Sequence, residues 1–154
     1  MKITDILQPS AILLNMSFAK KEDALDAMIN ALAEGGHIAK ADEARKAVFD
    51  REKIMSTGIG KGFALPHGKT NHITETVGAF MTLKDPLDFQ ALDQQPVTII
   101  FMLIGRENTV GTHLRLLSRI SRLMNKDSFR DSVSAAETPE QVIALFTAEE
   151  EEMG

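Results

Sequence analysis

Residues 97–104, Val-Thr-Ile-Ile-Phe-Met-Leu-Ile, form an almost unbroken apolar run. A run of this length, rich in β-branched residues and without helical spacing, reads as a strand buried on both faces. Such a strand needs an apolar layer above and below it. Helices on both sides of the sheet would meet that requirement.

The rest of the chain supplies them. Residues 77–83 form a second apolar run of strand length, with Asp85-Pro86 and Gln95-Pro96 marking turns between the two, and residues 11–14 read as a short strand. Leu25, Met28, Ile29 and Leu32 recur at helical spacing until Gly35-Gly36. A second helix is predicted over 42–53, with Ala44, Ala47 and Val48 facing inward and Arg51 three residues further along the same side. Three more are predicted over 113–124, 128–136 and 139–147, the last opened by Thr138 as cap, Pro139 in the first helical position and Gln141 three residues after the cap. Arg115, Arg119, Arg122 and Lys126 make a basic stripe opposite Leu116, Leu117, Ile120, Leu123 and Met124, as expected of the solvent face of an amphipathic helix. The predicted fold class is α/β: one domain over 1–154, a mixed β-sheet with helices packed on both faces, and a frayed acidic tail at 149–154.

Size and composition agree with one domain: 154 residues, 44% hydrophobic and 25% charged. The chain has no cysteine, which removes disulfides, thiolate metal sites and cysteine nucleophiles. A formal charge of −5 argues against a nucleic-acid partner. No apolar run approaches the ~20 residues of a membrane span, and the N-terminus lacks a basic region followed by an apolar stretch. No membrane insertion and a cytoplasmic location are expected.

The chemistry concentrates in residues 57–68, Thr-Gly-Ile-Gly-Lys-Gly-Phe-Ala-Leu-Pro-His-Gly. Pro66 fixes its own φ and drives Leu65 toward extended backbone, so His67 is held on a stiff segment among glycines. His113 follows Gly111-Thr112 at a predicted helix start, just past the doubly buried strand, where free N–H groups and the helix dipole favour anions. Both histidines follow strand-like segments, whose carboxyl ends are where functional groups collect in open α/β sheets. Arg51, at the inner edge of a helix end, needs an anion, backbone carbonyls or water. His37 and His72 carry no such context.

Three chemistries can use this set. A metal site would lack an acidic ligand motif beside the two histidines. A phosphate-binding nucleotide loop is suggested by Gly68-Lys69-Thr70, but the glycine required five residues earlier is Phe63. Covalent phosphorylation of a histidine needs an exposed, oriented imidazole, a cation, backbone N–H groups and a second polar group, for which His67, Arg51, the glycine loop and His113 are candidates.

These residues resemble the enzyme IIA domains of the fructose/mannitol type of the bacterial phosphoenolpyruvate-dependent phosphotransferase system, including the nitrogen-regulatory enzyme IIA. The likeness is carried by Glu52, Ile59-Gly60, Ala64-Leu65 and Pro66-His67-Gly68, with Phe63 where the family usually has an aliphatic residue. Arg51-Glu52-Lys53 before Ser56-Thr57-Gly58, Asp93 with Gln95-Pro96-Val97, and His113-Leu114 with Leu116-Leu117 extend it over nearly the whole chain. The resemblance implies that His67 accepts the phosphoryl group, that His113 is the second active-site histidine and that Arg51 helps to hold the group. It implies a histidine-containing phosphocarrier protein as donor, an enzyme IIB or a regulatory target downstream, and neither metal nor cofactor. With no fused IIB or membrane segment in the sequence, a free-standing carrier or regulator of the nitrogen type is preferred to a sugar-transport component. A binding module on the same fold that is never phosphorylated is the rival from another class.

Overall fold

In the computed structural model, which describes residues 1–153, the run that dominates the sequence is β6 (Val97–Gly105), inside a mixed sheet. Antiparallel β5 (Val77–Leu87) flanks it on one side, and two short parallel strands, β3 (Phe63–Ala64) and β4 (His67–Lys69), share its other side. β1 (Leu7–Met16) pairs in parallel with β5, and β2 (Gly58–Gly60) pairs antiparallel with β3, which gives the order β1-β5-β6-β3-β2 with β4 also on β6.

Both faces of β6 are buried, as its composition demands. Ile99, Phe101 and Leu103 enter one core, whereas Ile100, Met102 and Ile104 enter the other. Each of these side chains contributes about 1.5–3 kcal/mol on leaving water. The second core is closed by α2 (Lys21–Glu34) and α3 (Ala41–Ile54) through Leu25, Met28, Ile29, Leu32, Ala44 and Val48. The first is closed by α1 (Ile3–Ile6), α4 (Val110–Met124), α5 (Asp127–Ala135) and α6 (Pro139–Met153). There Phe146 meets Phe80, Phe101 and Phe129 edge to face at 5.7, 5.8 and 5.1 Å between ring centres. The predicted start of α6 holds, with the Gln141 N–H donating to Thr138 Oγ1 at 3.2 Å, but Gln141 Oε1 accepts from the N–H of Glu137 at 2.7 Å rather than from that of the cap residue.

Three expectations need correction. β5 does not turn at Asp85-Pro86 but runs on to Leu87 past an irregularity in its register with β6, a place where a proline without an N–H is tolerated. The acidic tail is not frayed: α6 continues to Met153, and Glu150 is buried. Its carboxylate accepts from the N–H groups of Ile3 at 2.7 Å and Thr4 at 3.0 Å, and from Arg119 Nη1 at 3.1 Å. Residue 154 lies outside the described residues. Finally, the basic stripe is not simply solvated, because Arg119 pairs with Glu150, and Lys126 reaches Glu149 at 2.8 Å. Among the described residues, no helix is long and apolar enough to cross a membrane.

Candidate active site

The topology brings His67, the first residue of β4, beside His113, which lies next to the end of β6. Their ring centres lie 5.7 Å apart, tilted by 57°. Together with Arg51, Lys69, Leu114 and Leu117 they line a cleft of about 320 Å³. Two glycines make this approach possible. On β4, a Cβ on Gly68 would lie 2.9 Å from the Ala47 carbonyl carbon, so α3 can pack directly on the strand only without a side chain there. At the end of β6, a Cβ on Gly105 would come within 2.7 Å of His113 Nδ1, which is the space the ring occupies.

His67 is half-buried, and its Nδ1–H donates to the Leu65 carbonyl at 2.8 Å. A carbonyl can only accept, so the proton sits on Nδ1 and the lone pair on Nε2. Burial lowers the pKa of His67 from the ordinary 6.5; the Leu65 contact opposes that shift, and the Arg51 charge adds to it. At neutral pH the ring is therefore neutral and oriented, with the Nε2 lone pair available.

His113 sits in the first turn of α4, which begins at Val110, three residues earlier than predicted. The His113 N–H already bonds to the Thr109 carbonyl at 3.0 Å; the groups without an earlier helical carbonyl are those of Val110, Gly111 and Thr112. The side chain is 2% exposed, yet neither ring nitrogen has a hydrogen-bond partner among the described residues. Burial first, then the charges of His67 and Lys69, push its pKa down to about 4. A buried polar group without a partner costs about 1–3 kcal/mol, a cost that an incoming acceptor beside His67 would remove.

Arg51 is at the rim of the cleft rather than on the buried face of α3. Its Nη1 donates to the Met55 carbonyl at 3.0 Å, and no carboxylate lies within 4.0 Å of it among the described residues. The buried position after Ala44 and Val48 belongs to Glu52, whose carboxylate accepts from the Thr57 N–H at 2.7 Å and from Thr57 Oγ1–H at 2.6 Å. Glu52 thereby ties the end of α3 to the start of the glycine segment.

That segment is not a loose anion cradle. It folds into β2, β3 and β4, and the N–H groups of Gly58, Lys61 and Leu65 donate to Ser56 Oγ, Asp93 Oδ2 and the Thr57 carbonyl. His37 instead bonds Ser10 at 2.8 Å, and exposed His72 lies 3.9 Å from Glu43. Sequence reasoning passed over Lys69 as a site residue, although the strand period of two, applied to His67, points to it. Among the described residues, no group of three or more His, Cys, Asp and Glu side chains converges as a metal ion would require.

A family model described as "Phosphoenolpyruvate-dependent sugar phosphotransferase system, EIIA 2" matches residues 5–149. The chain belongs to the type-2 EIIA family. Members of this family are components of the phosphotransferase system. The type-2 EIIA chain described here is 36% identical over 146 residues to the fructose-specific EIIABC component of Bacillus subtilis, covering 95% of this chain and 23% of that protein. It is 32% identical over 150 residues to the nitrogen regulatory protein of Bradyrhizobium diazoefficiens, covering 95% of each. The nitrogen regulatory protein IIA-Ntr of Neisseria meningitidis has the same type-2 EIIA fold, with a TM-score of 0.87 at 33% identity over 94% of this chain and 98% of that one.

Proposed function

We propose that this EIIA chain is a phosphoryl carrier that accepts its group on Nε2 of His67 from a histidine-containing phosphocarrier protein. The observation that carries the reading is the pairing of a half-buried imidazole, its free nitrogen selected by the Leu65 carbonyl, with a buried imidazole whose nitrogens have no partner among the described residues. The Nε2 lone pair attacks phosphorus in line; a P–N bond forms as the donor's P–N bond breaks, and the bonding pair returns to the donor imidazole. The His67 ring becomes cationic while its Nδ1–H stays on the Leu65 carbonyl. Arg51 and an N–H of neutral His113 take equatorial phosphoryl oxygens. The donor is already activated, so alignment and charge stabilisation suffice and no strong base is needed.

The phosphoryl group adds roughly −1.5 to −2 charge, enough to recruit or repel a partner. We take the regulatory use ahead of sugar transport, on the likeness in sequence and fold to the nitrogen regulatory protein IIA-Ntr of Neisseria meningitidis and the identity to the Bradyrhizobium nitrogen regulatory protein. The identity to the fructose-specific EIIABC component supports a second reading, in which the group passes to an enzyme IIB. Incubation with phosphoenolpyruvate, the general phosphotransferase enzyme and the phosphocarrier tests the proposal. An acid-labile mass gain of one phosphoryl group is expected, and it is lost in His67→Ala. No gain in the wild type refutes the carrier role in favour of a binding module, and a gain retained in His67→Ala moves the site elsewhere. Transfer from the phosphorylated protein to a fructose-type IIB would favour the transport reading.

A further inference from the structure

Lys69 ends β4 two residues after His67, and the two side chains share one face of the strand. Both line the cleft that also holds Arg51 and His113. The Lys69 backbone is fixed relative to the nucleophile: β4 is in register with β6, His67 opposite Leu103 and Lys69 opposite Gly105, and Gly68 between them packs on the backbone of Ala47. Its side chain, by contrast, is exposed. Asp50, Glu43 and Glu107 line the neighbouring polar cavity, which Lys69 also borders, yet no carboxylate lies within 4.0 Å of its ammonium among the described residues. The site thus holds two cations on different elements, Arg51 on α3 and Lys69 on β4, both without an acidic partner at that distance.

On the reading that His67 carries the phosphoryl group, we infer that Lys69 is a third ligand of that group, its ammonium reaching a phosphoryl oxygen from β4 as Arg51 reaches one from α3. In the unphosphorylated protein the ammonium's charge opposes protonation of both imidazoles and so favours the neutral forms that the transfer uses. The same charge is an asset once a dianion sits between them. Because the lysine is exposed and flexible, its contact forms only after the group arrives, and it acts on the phosphorylated state rather than on the resting fold. It adds no proton transfer: the ammonium keeps its protons, and no bond to it forms or breaks.

The test is 31P NMR of the phosphorylated wild type, Lys69→Gln and Lys69→Arg as pH is varied, together with the transfer equilibrium against the phosphocarrier. The charged or titratable groups around the phosphoryl group are Arg51 and Glu52 from α3, neutral His113 from α4 and Lys69 itself; only Lys69 changes between variants. Loss of the contact in Lys69→Gln should move the phosphoryl titration to higher pH and shift the equilibrium toward the donor by about threefold to tenfold, with Lys69→Arg restoring both. Unchanged titration in a phosphorylated Lys69→Gln overturns the inference and leaves the His67 reading standing. A changed equilibrium without a changed titration also overturns it, assigning Lys69 to contact with the phosphocarrier instead. If the wild type takes up no phosphoryl group, the His67 reading fails, and the role of Lys69 fails with it.

Discussion

Acidifying the protein should destabilise it through His113 by an amount that follows from the ring's burial. Unfolded, this imidazole protonates near its ordinary 6.5; folded, burial and the nearby charges delay protonation to about 4. Between those values the unfolded chain binds more protons, so the stability fully present above pH 6.5 is lost as pH falls, and the loss levels off below the folded value. At about 1.4 kcal/mol per pH unit, the loss relative to neutral pH reaches about 2.5 kcal/mol at about pH 4.5. Against a typical total of about 5–15 kcal/mol, that is readily measured. Urea unfolding of wild type and His113→Gln at about pH 7.5 and about pH 4.5 isolates the effect, because the other titrating groups are common to both proteins. The wild type should lose about 2.5 kcal/mol more than the variant. Equal losses would show that the ring is charged or solvated within the fold, and the account of it as a neutral donor waiting for an acceptor would be wrong.

Two further outcomes are expected. In Gly105→Ala the new methyl would collide with His113 Nδ1 at 2.7 Å, so the ring must move; a loss of about 1–3 kcal/mol in urea unfolding should accompany a weakened phosphoryl equilibrium, and unchanged values in both would contradict the tight fit. Removing the carboxylate in Glu150→Ala strands the Ile3 and Thr4 N–H groups and half-exposed Arg119, which should cost about 2–4 kcal/mol and speed hydrogen exchange at the start of the chain, without changing phosphorylation of His67.

The two buried glutamates, Glu52 and Glu150, share a cause. Ala44, Val48 and Glu52 on α3, and Val142, Phe146 and Glu150 on α6, each follow a spacing of four, so the third residue lies on the buried face. Composition alone sends glutamate to solvent. What keeps each one inside is a backbone segment with unpaired N–H groups, Thr57 in one case and the start of α1 in the other. For the same reason Arg51, three rather than four residues past Val48, turns to the rim of the cleft.

The sequence by itself determined the doubly buried strand, the helices that cover it and the stiff Pro66-His67-Gly68 segment, because these rest on periodicity and local backbone preference within a few residues. It also marked both histidines, through the elements they follow. Only the tertiary structure decided that the two rings meet at 5.7 Å, that Leu65 leaves Nε2 of His67 free, and that His113 is buried without a partner among the described residues. Those outcomes depend on β4 pairing in parallel with β6 and on which distant backbone groups the fold leaves unsatisfied, and no local pattern encodes either.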